Sequence, residues 1–560
     1  MLPLKRWKVL NTDLSKSLIS ILLDNRNLTV EHLEKFKLSD RLYDPFLLKD
    51  MYQAVERIRK ALRDKEVIAI YGDYDVDGVV STVLMVKLFE KLNYPVQYFL
   101  PNREKDGYGL RPSSIQKAID QNVDLLITVD NGISAHQAIE VAYDHHIDVI
   151  ITDHHLPEGR LPPALAIINP NRKDCTYPFK GICGAGVVYK IMHAVASQVL
   201  KEEEFKNFML SQLDLVTLAT IADVAPIRDE NYAIIKYGLK SLTHTMRPGI
   251  VELKRVSGLL GKEITPTAVA FYLGPRINAA GRIADATIAA QLLLSKSREE
   301  AARHASELNS LNSMRQRLQE EYINRATNEL QNKQMQVNKV HIIESEDWDL
   351  GLLGIISGKL KDRFSRPVLA FTRDSEGNYV GSARSLDNFN ITAALTRFNS
   401  LYLNYGGHEK AAGLTIPEEN YQRFKQEFIE YVNTTLNDED LVTELVIDSV
   451  VTPEQLNESI VHLIQEIGPF GESNPEPLLL INGVTIKDII PLSQGKHLKI
   501  IVQKGGRYLE CIWWGMGNLK DEVTFNSEID IVFKPSINLW NGIERIQLVI
   551  EDLKYSDTIV

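Results

Sequence analysis

Apolar runs alternate with helix-like segments along the chain from about residue 51. Three of these runs, at residues 66–71, 124–129 and 147–152, are almost continuously apolar, and residues 79–92 have the character of a buried helix. Strands of this kind, separated by helices, are typical of a parallel sheet that is covered on both faces. The pattern therefore predicts an α/β domain that follows a helical lead-in at residues 1–50.

The remaining chain predicts further helices, a second α/β unit and a strand-rich tail. Residues 185–245 are helical in pattern, and residues 297–332 predict one long helix with an apolar stripe between charged faces. The sequences Lys504-Gly505-Gly506-Arg507 and Trp540-Asn541-Gly542 predict hairpin turns in a small closed or sandwiched β domain. The predicted boundaries are residues 1–50 for the lead-in, 51–296 for the first α/β domain, 297–335 for the connecting helix, 336–440 for the second α/β domain and 441–560 for the β domain.

Composition excludes several classes of protein. The chain has 560 residues, of which 44% are hydrophobic and 24% charged, as expected of a soluble multi-domain protein. It has no apolar run of the roughly 18 residues that a membrane span needs, and it does not begin with a secretory signal. Three scattered cysteines exclude a disulfide framework and a cysteine-based zinc site, and they favour the reducing cytoplasm. The net charge of −11 argues weakly against nucleic-acid binding, because local basic residues matter more than the sum.

The most informative motif is Gly72-Asp73-Tyr74-Asp75-Val76-Asp77-Gly78, which places three carboxylates directly after the first predicted strand. Carboxylate oxygens are hard ligands that suit Mg²⁺, Mn²⁺ or Ca²⁺. An EF-hand loop begins in a similar way, but it needs a Glu where this chain has Leu84, and it follows a helix rather than a strand. A plain acidic turn is the other alternative, although three close aspartates repel one another unless a cation is present.

Two further predicted strands end in residues that can bind metals. Asp130-Asn131-Gly132 follows the second strand, and Asp153-His154-His155 follows the third. Taken singly, the first could be an ordinary turn and the second a pair of satisfied polar residues. Because the carboxyl ends of parallel strands form one crevice, we expect Asp75, Asp77, Asp130 and His154 to converge there.

The chain repeats the Asp-His-His tripeptide at residues 144–146, just before the third strand. That position is the amino edge of the sheet, so we expect Asp144-His145-His146 to lie on the surface, away from the crevice. Asp223 is a further candidate, because it follows an apolar helix and a carboxylate at a helix C-terminus is disfavoured by the helix dipole. A bound metal would explain its position, and a simple helix end is the alternative.

These motifs resemble the DHH phosphoesterase superfamily and, within it, the bacterial exonucleases specific for single-stranded DNA. The resemblance rests on the acidic loop, Val129-Asp130-Asn131-Gly132, Asp153-His154-His155 and Ala222-Asp223, together with the signature at residues 274–282. Gly381-Ser382-Ala383-Arg384-Ser385 and Gly406-Gly407-His408 resemble the DHH-associated (DHHA1) domain. The resemblance covers roughly residues 50–435, and the β tail corresponds in position to an OB-fold.

The resemblance implies a multi-domain α/β fold: a parallel-sheet DHH domain, a long connecting helix, an α/β DHHA1 domain and an OB-like β domain. It also implies a catalytic site with two divalent cations, Mn²⁺ or Mg²⁺. The implied ligands are Asp75, Asp77, Asp130, His154 and Asp223. Asp73 and His155 lie beside them and either coordinate a cation or support the ligands.

The resemblance further implies residues that hold the phosphates of DNA. Backbone N–H groups at glycines approach phosphates closely, and arginine binds them with two hydrogen bonds. An ordinary loop remains the alternative for the Gly-Gly-His sequence, and surface salt bridges remain the alternative for the two arginines of a Gly/Ala-rich turn at 274–282. The predicted DNA-binding residues are Arg276, Asn278, Arg282, Ser382, Arg384, Gly406, Gly407 and His408.

The tail offers a second, weaker indication of DNA binding, since basic and aromatic side chains on strands suit single-strand stacking. One of the adjacent residues Trp513 and Trp514 must face inward on a strand, so we expect one of them to be buried. The other residues of this group are Lys496, Lys499, Lys504 and Arg507.

The function that follows from the resemblance is 5′ to 3′ hydrolysis of single-stranded DNA to mononucleotides in DNA repair and recombination. A narrow passage between the two α/β units is expected to exclude duplex. The implied partners are single-stranded DNA, a single-stranded-DNA-binding protein and a RecQ-type helicase, with no membrane. The alternatives are a small-substrate DHH phosphoesterase, acting on nanoRNA or adenosine bisphosphate, and a non-catalytic replication scaffold, although scaffolds of that type lose the acidic ligands that are present here.

Overall fold

The computed structural model describes residues 5–13, 15–33, 37–102, 109–157, 159–331, 337–540 and 543–556. The chain divides into two compact units, a central unit formed by residues 41–443 and a terminal unit formed by residues 4–40 together with 444–560. Among the described residues, no helix combines the length and the apolar character that a bilayer crossing requires.

The strands in chain order are β1 (Arg6–Val9), β2 (Ile68–Tyr71), β3 (Gln97–Phe99), β4 (Leu125–Val129), β5 (Asp148–Thr152), β6 (Ala166–Ile168), β7 (His341–Glu344), β8 (Val368–Arg373), β9 (Tyr379–Arg384), β10 (Asn404–His408), β11 (Ala411–Ile416), β12 (Glu444–Ile447), β13 (Ser449–Val450), β14 (Leu479–Leu492), β15 (His497–Lys504), β16 (Arg507–Trp513), β17 (Glu528–Trp540) and β18 (Ile543–Tyr555).

The helices in chain order are α1 (Leu18–Asp24), α2 (Met51–Asp64), α3 (Val76–Lys91), α4 (Pro112–Asp120), α5 (His136–Asp144), α6 (Gly184–Val199), α7 (Glu202–Leu210), α8 (Leu213–Ala222), α9 (Asp229–His244), α10 (Pro248–Val256), α11 (Pro266–Ala268), α12 (Gly274–Ile283), α13 (Thr287–Leu294), α14 (Arg298–Leu330), α15 (Leu353–Phe364), α16 (Ile391–Thr396), α17 (Glu418–Thr435) and α18 (Glu458–Glu466).

The central unit contains a parallel sheet with the strand order β3-β2-β4-β5-β6. The three strands predicted from the sequence are confirmed as β2, β4 and β5, each beginning one or two residues later than predicted. These three strands are neighbours, so the loops that follow them lie at one edge of the sheet. Helices α4 and α5 pack on one face of the sheet, and α3 and α6 contact the other.

Helix α3 begins three residues before the predicted start at residue 79. Asp75 is its N-cap, and the Asp75 side chain accepts a hydrogen bond from the N–H of Gly78 at 3.0 Å. An aspartate at this position satisfies a backbone donor that the helix cannot satisfy itself. The acidic loop is therefore also the start of a buried helix, which fixes the direction of its carboxylates.

The long helix predicted at residues 297–332 is confirmed as α14. Its N-terminal part packs against α10, α12 and α13, and its C-terminal part contacts α15. The apolar stripe is buried at Leu308, Tyr322 and Leu330. Burial on successive helical turns, rather than intrinsic propensity, explains why so long a charged helix is stable.

The second sheet of the central unit has the order β10-β11-β9-β8-β7, in which only β7 and β8 run parallel. Phe371, Phe424 and Phe428 lie in the core on one face, and Ile343 and Ile356 lie in the core on the other. The sheet is thus covered on both faces. Its DHHA1-like motifs lie on β9 and on the edge strand β10.

The terminal unit contains a closed barrel, because β14 pairs with both β15 and β17, and β16 and β17 both pair with β18. The closure confirms the predicted OB-like β domain. The predicted turn between β15 and β16 is confirmed, with Gly505 and Gly506 at φ values of 57° and 80°. Part of the predicted turn at Trp540-Asn541-Gly542 lies outside the described residues.

The predicted helical lead-in is wrong at residues 6–9, which form strand β1. This strand pairs in parallel with β12, more than 400 residues later. The Trp7 indole N–H donates to Asp552 Oδ2 at 2.8 Å, and Trp7 packs against the core of the terminal unit. Such a long-range pairing leaves no local pattern in the sequence. The five predicted domain boundaries stay predictions.

Candidate metal centre and nucleic-acid site

The three aspartates that follow β2 are held by different backbone groups. Asp73 accepts from the N–H of Tyr74 at 2.7 Å, and Asp75 caps α3. Asp77 lies in the first turn of α3, and its two oxygens accept from the N–H groups of Gly184 and Ala185 at 2.6 and 2.8 Å. Those two N–H groups are the N-terminus of α6, which favours a negative charge.

The loops after β4 and β5 bring Asp130 and His154 to the same place. His154 Nε2 lies 3.1 Å from Asp130 Oδ1, 3.6 Å from Asp77 Oδ2 and 3.9 Å from Asp223 Oδ2. Asp223 follows the last residue of α8, as predicted. Asp130 has φ of 61°, a left-handed conformation that is uncommon for a residue with a side chain and is concentrated at functional sites.

All the predicted ligands lie in one cluster. In three overlapping groups, one ligand atom from each residue lies within 4.8 Å of the others. The groups are Asp130, His154 and His155; Asp77, His154 and Asp223; and Asp73, Asp75 and Asp130. The convergence expected from the strand order is therefore present in the structure.

Burial and mutual repulsion make this cluster electrostatically unfavourable without a cation. Burial, followed by the charge of Asp75, raises the pKa of Asp73 to about 7. Burial and neighbouring carboxylates raise the pKa values of Asp75, Asp130 and Asp223 as well. Burial also lowers the pKa of His154, which favours the neutral ring that metals bind.

One atom shows most directly that these residues fit a metal. Among the described residues, Asp130 Oδ1 is buried and accepts no hydrogen bond, although His154 Nε2 is only 3.1 Å away. A carboxylate oxygen and an imidazole nitrogen that lie this close without a hydrogen bond between them can both bind one cation. A divalent cation would give the unpartnered oxygen a partner, and mixed Asp/His ligands suit Mn²⁺ or Mg²⁺.

Asp153 differs from its neighbours in the cluster because its oxygens are already occupied. They accept from His155 Nδ1 at 2.7 Å and from the N–H of Ile133 at 3.0 Å. Burial alone would lower the pKa of His155, but the hydrogen bond and charge of Asp153 outweigh it and raise that pKa to about 9. The contact with Asp153 thus favours the protonated form of the His155 ring.

A cavity of about 800 Å³ is lined by residues that follow β4 and β5 and by residues of the second sheet. Tyr74, Asp153 and His155 line one side of it. The other side is lined by predicted phosphate-binding residues on β9 and β10, namely Ser382, Arg384, Gly406, Gly407 and His408. The cavity thus links Asp153 and His155, which adjoin the predicted metal ligands, with the predicted phosphate-binding residues.

Two predicted turns in this region are wrong. Gly406-Gly407-His408 is the end of strand β10 and pairs with β11, so the glycines form part of a flat edge strand. Residues 274–282 form helix α12, packed against α14, and not a Gly/Ala-rich turn. Gly407 and Gly281 each lie against neighbouring backbone, and composition alone cannot distinguish such a packed glycine from one in a turn.

The signature residues of α12 are engaged with the protein. Arg276 Nε donates to Asn309 Oδ1 at 3.0 Å, and Asn278 Oδ1 accepts from the N–H of Val76 at 3.1 Å. Arg282 Nη1 donates to the carbonyl of Gly351 at 2.8 Å. Their contact with DNA stays a prediction.

The surface prediction for Asp144-His145-His146 is confirmed, since all three residues are exposed at the end of α5. In the tail, Trp513 is buried while Trp514 is 53% exposed, as expected of adjacent strand residues. Lys499 pairs with Glu510 at 2.7 Å, and Arg507 donates to the carbonyl of Pro453 at 2.8 Å. DNA contact by Lys496, Lys499, Lys504, Arg507 and Trp514 stays a prediction.

Three family models match the chain. The DHH family, N-terminal domain, matches residues 67–220, the DHHA1 domain matches residues 332–434, and the RecJ OB domain matches residues 447–552. The single-stranded-DNA-specific exonuclease RecJ of Dickeya dadantii is 34% identical over 542 residues, which cover 91% of this chain and 92% of that protein.

The chain belongs to the RecJ family. The RecJ of Bacillus subtilis is 36% identical over 517 residues, covering 92% of this chain, but the chain spans only 64% of that relative. The crystal structure of Thermus thermophilus RecJ in complex with Mn²⁺ superposes with a TM-score of 0.84 and 27% identity, covering 99% of this chain and 80% of that one. A structure of the same protein with Mg²⁺ gives a TM-score of 0.78.

The RecJ comparison agrees with the chemistry of the cluster, since the relatives were solved with the two cations that the donor set favours. The small-substrate phosphoesterase and the non-catalytic scaffold are not favoured by these relatives. All the acidic ligands that a scaffold would lose are present in this chain and converge.

Sequence reasoning missed three residues that shape the site. Gly184 and Ala185 bind Asp77, and only the small residues that open the predicted helix near residue 185 hint at them. Asn131 Nδ2 donates to the carbonyls of Val129 at 3.0 Å and Tyr71 at 3.4 Å. These hydrogen bonds hold the end of β4 against the end of β2. In the sequence, only the position of Asn131 beside Asp130 indicated a role in the site.

Proposed function

We propose that this chain is a metal-dependent exonuclease that hydrolyses the phosphodiester bonds of single-stranded DNA. One observation carries the proposal: a single cavity is lined both by Asp153 and His155, which adjoin the acidic cluster, and by Ser382, Arg384 and the β10 glycines. Its volume of about 800 Å³ lies in the range of small-ligand sites and is large enough for a nucleotide. The membership in the RecJ family supports the same substrate.

In this proposal, Asp75, Asp77, Asp130, His154 and Asp223 hold two divalent cations, with Asp73 beside them. Such a pair supplies an acidified water as nucleophile and offsets the charge that develops on the phosphate oxygens. The N-terminus of α6 holds Asp77 in one orientation, so little rearrangement is needed when the cations bind.

The chain's own residues hold the substrate. Asp153 accepts from His155 Nδ1 at 2.7 Å and thereby orients that ring on the wall of the cavity that the phosphate-binding residues also line. Arg384 Nη1 donates to Ser382 Oγ at 3.1 Å, so the guanidinium is oriented on β9 before a phosphate arrives. Preorganised donors of this kind lose little entropy on binding.

The direction of digestion is proposed to be 5′ to 3′, with mononucleotide products, in DNA repair and recombination. A cytoplasmic location is proposed too, and it agrees with three free, buried cysteines. A single-stranded-DNA-binding protein and a RecQ-type helicase are the proposed partners, to be sought by co-purification.

Digestion of 5′- and 3′-labelled single strands and duplex, with Mn²⁺, Mg²⁺ or a chelator, tests the proposal. We expect metal-dependent loss of the 5′ label from single strands and protection of duplex. Asp130→Ala should abolish this activity, because it removes a metal ligand. Its folding should be little affected, because Asp130 Oδ1 accepts no hydrogen bond among the described residues. Wild-type turnover of the variant in Mn²⁺, or preference for dinucleotides over long strands, would refute the assignment.

A further inference from the structure

Helix α12 packs closely against the backbone of the acidic loop. Asn278 Oδ1 accepts the N–H of Val76, the residue between Asp75 and Asp77. Further along the same helix, a Cβ placed on Gly281 would lie 2.3 Å from the carbonyl oxygen of Tyr74. Both contacts are with the backbone of the loop, so α12 and the metal ligands cannot shift independently.

The residue after Gly281, at the same C-terminal end of α12, contacts the second α/β part of the central unit. Arg282 Nη1 donates to the carbonyl of Gly351 at 2.8 Å. A Cβ on Gly351 would lie 2.3 Å from the carbonyl oxygen of Arg282, again a contact with rigid backbone. Gly351 lies in a 3₁₀ turn at Leu350–Leu352 that runs directly into α15.

The first turn of α15 in turn supports the phosphate-binding residues of β9. A Cβ on Gly354 would lie 2.8 Å from Arg384 Nη2 and 3.4 Å from Ser382 Oγ. One turn later the packing is looser, because a Cβ on Gly358 would lie 4.0 Å from Arg384 Cγ. The close support is therefore confined to the start of α15.

We propose that α12 and the start of α15 form a spacer of fixed length between the metal centre and the phosphate-binding residues. Asn278, Gly281, Arg282 and Gly351 are then positioning residues, which act through the acidic loop and through Arg384. The inference rests on the proposed nuclease function and deepens it. Because the spacer sets how far the held phosphate lies from the cations, it sets which phosphodiester bond is cut and hence the length of the product.

Gly351→Ala tests the spacer at the joint that lies away from the metals. Its Cβ collides with backbone, so α15 must move relative to α12. A misplacement of about 1 Å can cost about 100-fold in rate, so we expect kcat on a labelled oligonucleotide to fall on the order of 100-fold and products of more than one length to form. The affinity for Mn²⁺, measured by calorimetry, should be unchanged because no ligand moves.

Three variants control this test. Gly281→Ala acts on the metal side of the spacer and should weaken Mn²⁺ binding as well as kcat. Gly358→Ala makes the same substitution seven residues later, in α15, where the added Cβ has room. It should leave kcat, product length and Mn²⁺ affinity at wild-type values. Arg282→Met removes the joint's hydrogen bond without adding volume, and it replaces Gly351→Ala if that variant does not fold. Because Arg282 is also a predicted DNA contact, the decisive readout is then product length: products of more than one length support the spacer, and a rise in KM with unchanged product length refutes it.

The outcomes separate the spacer from the proposed function. If the wild-type chain leaves single strands intact in Mn²⁺, the proposed nuclease function is wrong, whatever the variants show. If the wild type digests DNA and Gly351→Ala keeps its kcat and product length, the spacer is wrong. A loss of Mn²⁺ affinity in Gly351→Ala equal to that in Gly281→Ala would also overturn it, because the defect would then be general rather than positional.

Discussion

The substitution Gly184→Ala tests how much the close packing of the α6 N-terminus against Asp77 and Asp130 contributes to metal binding. The N–H of Gly184 donates to Asp77 Oδ2 at 2.6 Å, while a Cβ at this position would lie 2.5 Å from Asp130 Oδ1 and 2.7 Å from Asp130 Cβ. Carbon and oxygen atoms in contact are normally about 3.5 Å apart, so the helix or Asp130 must move by about 1 Å. The added methyl group therefore displaces two predicted ligands at once.

The magnitude follows from the hydrogen bond that is lost. A hydrogen bond to a charged group contributes about 1.5–3 kcal/mol, which corresponds to a factor of about 10 to 150 in an equilibrium constant. We therefore expect the affinity of Gly184→Ala for Mn²⁺ to fall by about 10- to 150-fold, measured by isothermal titration calorimetry, while the chain remains folded. Digestion of single-stranded DNA should fall in parallel at limiting Mn²⁺.

Gly186→Ala is the matched control, because it makes the same substitution two residues later in α6. Its Cβ would lie 3.2 Å from the Ile182 side chain and away from the carboxylates. Some loss of thermal stability is acceptable there, but the affinity for Mn²⁺ should stay at the wild-type value. Wild-type Mn²⁺ affinity in Gly184→Ala would refute the role assigned to the α6 N-terminus.

Three other predictions concern the cluster and the fold around it. His154→Ala should lose Mn²⁺ binding and DNA digestion, whereas His145→Ala, in the exposed copy of the motif, should keep both; equal behaviour of the two variants would contradict the site. Removal of metal with a chelator should lower Tm, measured by differential scanning fluorimetry, because Asp75 and the other buried carboxylates then repel one another; an unchanged Tm would show that no ion neutralises them. Burial, followed by the charge of Arg366, lowers the pKa of buried His341 to about 4, so below its ordinary pKa of 6.5 the unfolded chain binds a proton that the folded chain does not. As the pH drops from 6.5 to about 4, the free energy of unfolding of the wild type, measured by urea denaturation, should therefore fall by about 3 kcal/mol more than that of His341→Phe. If the two proteins lose stability in parallel, His341 does not titrate in this way.

The sequence was sufficient for the parts of the site that depend on parallel strands. Strands β2, β4 and β5 are continuous apolar runs, and the acids and histidine that follow them must share one edge of the sheet. The surface position of the second Asp-His-His motif followed from the same reasoning, since it precedes a strand instead of following one. Local pattern and strand polarity thus determine most of the metal centre.

The parts that could not be predicted depend on contacts between distant segments. Gly184 binds Asp77 across 107 residues, and β1 pairs with a strand near residue 444, so neither contact has a local signal. Helix α12 was predicted as a turn because its glycines suggest flexibility, whereas Gly281 is there to let the helix approach the carbonyl of Tyr74. Composition cannot distinguish a glycine needed for a turn from one needed for close packing.

The most direct test of the central claim is anomalous diffraction at the manganese edge from crystals of this chain soaked in Mn²⁺. We expect two peaks about 3.5–4 Å apart, surrounded by Asp75, Asp77, Asp130, His154 and Asp223. A single peak, or none at the ends of β2, β4 and β5, would contradict it.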